Sequence, residues 1–299
     1  MKKILPPIAV IFAAVLWSLD GLIRQELYSV SSFFVVALEH TFGALLFSPF
    51  LIKSWPNIKS LKQRQWVSIL WISIFGGILG TFFYTKALSY INYIDLSVVV
   101  LLQKLQPVFA IALATVILKE KLSTRFIKLA ALALVGGYFV TFGTTPISDW
   151  NDKTIIAALL AILAAFAWGS STVLGKHALK NLPFSTVTSL RLSLTSILTI
   201  ILLFFTEGDF YIQHLTATQW RNLIFIVFST GAVALFIYYF GLNHLPASHA
   251  TLYELAWPLS AVILDWQLNG NSLSPVQILG AILLIGSMVS LSREKKSIA

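Results

Sequence analysis

The sequence predicts an all-α integral membrane protein, ten transmembrane helices built as two inverted five-helix repeats. Three observations predict it. The 299 residues are 57% hydrophobic and only 11% charged, with a mean hydropathy of +0.83, too little charge to cover a soluble surface. The apolar residues fall in blocks of about 20, the length a helix needs to cross about 30 Å of hydrocarbon. Short strings also recur in the same order at an offset of about 151 residues, which marks an internal repeat.

The spans are taken in order. The first, 8–25, begins in MKKILPPIAVIFAAVLWSLDG at 1–21. Lys2 and Lys3 before an apolar run also suit a signal peptide, but no small-x-small site follows cleanly, so the run reads as a retained span. It carries Trp17 and Ser18 and ends near Asp20. The second, 32–52, holds Glu39 and His40 near its middle; the third, 66–89, holds Lys86 towards its end. The fourth, 95–117, carries Lys104 near its middle and Pro107 three residues on; the fifth, 126–143, is rich in small residues. The sixth, 154–175, contains Trp168 and Gly169, and the seventh, 184–205, contains Arg191. The eighth is 220–242. The ninth, 247–267, carries Tyr253, Glu254, Trp257, Pro258 and, near its end, Asp265. The tenth is 276–291.

Charge distribution sets the topology. With the N-terminus inside, the inner segments hold Lys2, Lys3, Lys53, Lys59, Lys62, Arg64, Lys119, Lys121, Arg125, Lys128, Lys176, Lys180, Arg293, Lys295 and Lys296, while the outer loops hold only Arg24, Lys153 and Arg221. This positive-inside bias accounts for the net charge of +9 without a nucleic-acid partner, and it puts both termini in the cytoplasm of a cell-membrane protein. Segments 53–65 and 119–128 are expected inside, and 144–153 outside. Cysteine is absent, which excludes a disulfide framework and thiolate metal ligands.

The repeat divides the chain at 1–146 and 147–299. AAVLW at 13–17 recurs as AAFAW at 164–168, LQPVFAIAL at 105–113 as AWPLSAVIL at 256–264, and LAALALVGG at 129–137 as LGAILLIGS at 279–287. Five spans per half is an odd number, so the second half enters from the opposite side. That geometry suits alternating access at a site near the midplane.

The strings LWS at 16–18 and AWG at 167–169, LQP at 105–107 and AWP at 256–258, with KEKLSTRFIKLAALALVGG at 119–137 and NGNSLSPVQILGAILLIGS at 269–287, resemble the EamA family of the drug/metabolite transporter superfamily. The resemblance covers essentially the whole chain. It implies transport of amino acids, other small metabolites or drugs through a central cavity, with the fifth and tenth helices peripheral. The family pattern has glycine before Glu120, where this chain has Lys119, and an arginine in the second span, where this chain has Glu39 and His40.

Ionisable groups inside a span cost roughly 2.5–3.5 kcal/mol each unless paired or hydrated, so they are site candidates. Glu39 and His40 suit a proton-coupling role or a structural pair; Arg191 suits a substrate carboxylate or a pair with Glu39. Asp20, Lys86 and Asp265 lie near span ends, where they can serve a site or reach the interface. Trp17, Trp168, Tyr253 and Trp257 either wall a pocket or pack helices, while Trp66, Trp71 and Trp220 suit the interfacial belt. Pro107 and Pro258 occupy matching places beside a buried charge, the pattern of broken helices at a transport site. At the offset of 151, Gln103 matches Glu254, so Lys104 is expected to face the central cavity and be compensated by Glu254, directly or through water or solute. The alternative is that Lys104 bonds only carbonyls near the kink.

The expected function is a secondary transporter of a small organic solute, an amino acid or related metabolite, by proton coupling or exchange. The alternatives are a channel or a membrane-embedded enzyme. No GxxxxGK[ST], HExxH or GxSxG motif appears, so no nucleotide, metal or other cofactor is expected.

Overall fold

The computed structural model describes residues 4–24, 27, 30–88, 102–143, 152–207, 215–269 and 273–293, and among these all regular structure is helical. In chain order the helices are α1 (Leu5–Arg24), α2 (Ser32–Lys53), α3 (Trp55–Lys59), α4 (Gln63–Trp71), a π-helical segment (Ile72–Leu79) and α5 (Gly80–Leu88). There follow α6 (Gln106–Ile117), α7 (Thr124–Phe142), α8 (Asp152–Ala178) and α9 (Phe184–Glu207). The last five are α10 (Ala217–Phe228), α11 (Ala232–His244), α12 (Ala247–Tyr253), α13 (Ala256–Asn269) and α14 (Pro275–Ser292). Among the described residues seven helices are long and apolar enough to cross a membrane, and Leu5–Asp20 and Gln106–Ile117 are shorter apolar helices. Residues 95–101 of the expected fourth span lie outside the described residues, as do the outer 144–151.

The ends of these helices follow their sequences. Ser123 and Ser274 cap α7 and α14 with side-chain acceptors for the amides of Phe126 and Gln277. Thr216 and Gln219 close a reciprocal capping box at α10, which satisfies donors that a helix start leaves open.

Four expected spans are not continuous α-helices. The third passes through the π-helical segment, which brings Gly76 and Gly77 against Ser171 and Thr195 so closely that a Cβ at either would collide. The eighth is interrupted at Ser229–Gly231 between α10 and α11, where Gly231 donates to Ile226 O at 2.7 Å and the Thr230 hydroxyl donates to Asp20 at 2.7 Å. The ninth breaks at Glu254–Leu255 between α12 and α13. In the fourth, a turn at Lys104–Leu105 precedes α6.

Pro107 and Pro258 therefore sit in the first turns of α6 and α13, where a missing N–H removes no helical bond. The expectation of helices broken at these prolines is corrected accordingly: the breaks lie two to four residues ahead of them, at the charged positions.

Packing pairs helices across the chain. The most extensive contacts join α2 with α9, α7 with α14, α1 with α11, and α8 with α5 and α6. The α2–α9 contact carries small polar residues. Thr41 and Ser196 hydrogen-bond at 2.6 Å, Ser189 donates to Phe47 O at 3.1 Å, and Thr186 donates to Ser54 at 2.7 Å. In a bilayer, such residues let backbones approach and supply bonds that lipid cannot. The α7–α14 contact closes on Gly136 and Gly280, each so near the other's backbone that a side chain on either would clash.

Candidate functional site

The breaks in the fourth and ninth spans meet. α12 packs on α6 and on α8, and the turn after α12 delivers Glu254 to the middle of the bundle. Its Oε2 accepts from Gln106 Nε2 at 2.6 Å; its Oε1 accepts from Tyr238 OH at 2.6 Å and from Thr172 Oγ1 at 3.4 Å. Thr172 and Tyr238 also hydrogen-bond to each other at 2.9 Å, and Gln103 donates to Gln106 at 3.1 Å. One carboxylate thus ties together α6, α8, α11 and the α12–α13 turn.

Lys104 approaches from the other break. Its Nζ lies 3.5 Å from the centroid of the Trp257 ring, a close cation–π contact. Lys104 and Glu254 line one cavity with Gln103, Gln106, Pro107, Thr251 and Leu255. Its volume, about 20 Å³, is room for a water and not for an organic solute.

Aromatic rings pack on the helices that supply these partners. Trp17 on α1 packs on Tyr238 at 5.2 Å between centroids, and Tyr84 packs on Trp168 at 5.5 Å. Gly80 lies against the Trp168 indole, and Gly169 lies against the backbone of Gln106, leaving no space for a Cβ at either. These glycines let α5 and α6 close on α8. Tyr253 is fully buried in the core and does not line the cavity.

The remaining candidates sit apart from it. Glu39 is buried on α2, and the His40 ring nitrogen Nδ1 contacts Val36 O at 2.9 Å within the same helix. Arg191 on α9 donates to Tyr239 OH at 2.9 Å, its guanidinium 5.8 Å from that ring. Asp20 joins the eighth-span break through Thr230. Trp71 departs from the belt expectation: its Nε1 donates to Ser170 at 2.9 Å and its ring stacks on Phe75 at 4.0 Å, so an internal partner holds it. The Asp265 side chain lies outside the described residues.

Sequence reasoning missed Gln103, Gln106, Thr172, Tyr238 and Thr251. The two glutamines were detectable as amides flanking Lys104 in an apolar run. It also missed Glu120. Its Oε1 accepts from Ala247 N at 2.7 Å, and its Oε2 accepts from Ser248 N at 3.2 Å and Ser248 Oγ at 2.5 Å. This caps the start of α12 from the other half of the chain. The preceding Lys119 has φ of +58°, a left-handed backbone suited to glycine.

Comparison with known proteins places this architecture. The model of the EamA-like transporter family matches residues 5–142 and again 155–293. The chain is 41% identical, over 95% of its length and 96% of the relative's, to riboflavin transporter ImpX of Fusobacterium nucleatum. It is 25% identical to protein LicB of Haemophilus influenzae, covering 93% of this chain and 94% of that one. A solved crystal structure superposes with a TM-score of 0.75 over 98% of this chain and 99% of its own, at 18% identity, a likeness of fold alone.

Proposed function

The chain belongs to the EamA-like transporter family, and from that premise we propose that it is a secondary transporter of riboflavin or a close flavin relative, working by alternating access. The observation that carries the substrate is the 41% identity across 95% of the chain to a protein named a riboflavin transporter. The site supports it: hydrogen-bonding groups at Glu254 and Gln106 lie beside the rings of Trp17, Tyr238 and Trp257. A planar heteroaromatic solute needs both faces to stack and polar edges to bond. An amino acid, the class expected from the sequence, is the competing reading.

The inverted-repeat reading, 1–146 against 147–299, rests on three supports. The family model matches twice. The third and eighth spans are distorted at corresponding places, as are the fourth and ninth. The packing also keeps its pattern when the halves are exchanged: α2 with α9 and α7 with α14 map onto themselves, and α1 with α11 maps onto α8 with α5. Two such halves rocking about one site would widen the small cavity on each side in turn. The topology proposal keeps both termini cytoplasmic. Single cysteines at 60 and 149 test it, since only the second should react with an impermeant thiol reagent in intact cells.

The deciding experiment is counterflow in liposomes. Vesicles loaded with unlabelled riboflavin should accumulate labelled riboflavin saturably. No accumulation, together with accumulation of a labelled amino acid under the same protocol, overturns the flavin reading; linear flux points to a channel. Proton coupling is proposed through Glu39, a buried carboxylate within a span. Glu39→Gln should then abolish gradient-driven uptake while exchange persists, and unchanged driven uptake removes Glu39 from the mechanism.

A further inference from the structure

The cavity between the two breaks holds an unsatisfied group. Thr251 is fully buried, lines the cavity with Lys104 and Glu254, and its Oγ1 has no hydrogen-bond partner. A buried hydroxyl left unpaired costs about 1–3 kcal/mol, so in the narrow cavity a water would complete it, and in a widened one a solute that takes the water's place.

The three groups differ in what they offer. Lys104 only donates, ionised Glu254 only accepts, and Thr251 can donate. Glu254 takes short bonds from Gln106 and Tyr238, with the Thr172 hydroxyl, whose single proton is shared with Tyr238, at 3.4 Å, and two carboxylate oxygens have about four acceptor positions. Acceptor capacity therefore remains on Glu254, in the cavity that Thr251 and Lys104 also line. The wall carries two donors and one acceptor. A solute edge that satisfies all three offers one N–H and two carbonyls, as the imide edge of a pyrimidinedione ring does. Trp257, under the Lys104 ammonium, adds a ring face beside this polar edge.

Building on the flavin reading, we propose that Lys104, Glu254 and Thr251 form the subsite that reads the imide edge of the solute, with Glu254 accepting from the imide N–H and Lys104 and Thr251 donating to its carbonyls. Thr251 is then a specificity-determining residue. The solute enters this subsite when the cavity widens, and the ribityl chain lies outside it.

The test uses the full chain in detergent, with riboflavin, its N3-methyl derivative and lumichrome, which keeps the imide and lacks the ribityl chain. Riboflavin should bind at least about ten-fold more tightly than the N3-methyl derivative, because a methyl group there both removes the donor and leaves buried acceptors unpaired. Lumichrome should compete. Thr251→Val, nearly isosteric, should weaken riboflavin by about five- to thirty-fold, the worth of one buried hydrogen bond, and should weaken the N3-methyl derivative far less. The unliganded Thr251→Val melting temperature checks folding. If riboflavin binds and its N3-methyl derivative binds equally well, the imide subsite is wrong while the flavin reading stands. If Thr251→Val weakens both ligands alike, or neither, the assignment of Thr251 is wrong. If the wild-type chain binds no riboflavin, the flavin reading fails, and this inference with it.

Discussion

The turns at Lys104 and Glu254 are alike in form. Each interrupts an apolar span near its middle and leads into a helix with proline in its first turn. What each does with its charge differs. Glu254 is fixed by two short directional hydrogen bonds, from Gln106 and Tyr238, with Thr172 of a third helix beside it. Lys104 rests on the face of Trp257, a contact that tolerates displacement because a ring face has no single bonding direction. The difference teaches that the carboxylate is the fixed reference of this site and the ammonium its adjustable element.

The sharpest way to break that comparison is to remove one charge. Glu254→Leu should lower stability by about 3–5 kcal/mol, because it strands the Lys104 ammonium and the donors of Gln106 and Tyr238. Adding Lys104→Met should recover a good part of that, read as thermal unfolding in detergent. A double variant no more stable than Glu254→Leu would show that the two charges do not compensate each other. Trp257→Leu probes the adjustable side. It should cost up to about 2 kcal/mol, the worth of a desolvated cation–π contact, and markedly less in a Lys104→Met background. Equal losses in both backgrounds would reduce Trp257 to simple packing.

Smaller effects test how the fixed side is anchored. α12 ends at Glu254 and begins on the Glu120 cap, so Glu120→Ala should cost about 1–2 kcal/mol and weaken transport through misplacement of Glu254. A variant with wild-type melting and flux would detach the cap from the site. Smallest of all, Lys119→Gly should stabilise by up to about 1 kcal/mol by relieving a left-handed lysine. A fall in melting temperature would mean that the lysine side chain outweighs its strained backbone.

Much of this fold was legible because bilayer thickness imposes a length. The first, second, fifth, sixth, seventh and tenth spans were drawn within a few residues of α1, α2, α7, α8, α9 and α14. The interruption at Ser229–Gly231 was not foreseen, since three small or polar residues barely dent an apolar run. The breaks were sought at prolines, whereas the chain turns just ahead of them, because a first-turn proline belongs to the helix it opens. Lys104 and Glu254 stood out because charge is rare in a span. Tyr238 and Thr172 did not: in a helix apolar on every side, no periodic pattern tells an inward tyrosine from one that merely packs. The internal acceptor of Trp71, Ser170, was not legible for the same reason.

The contact of Gly136 with Gly280 has a mechanical consequence. There the two halves touch backbone to backbone, and helices seated so closely separate only by losing that whole contact. The rocking proposed above would swing about this edge as a fulcrum, with the widest travel on the far side of the bundle. A methyl group added at either glycine would act as a wedge under the lever, tilting the halves before any solute arrives.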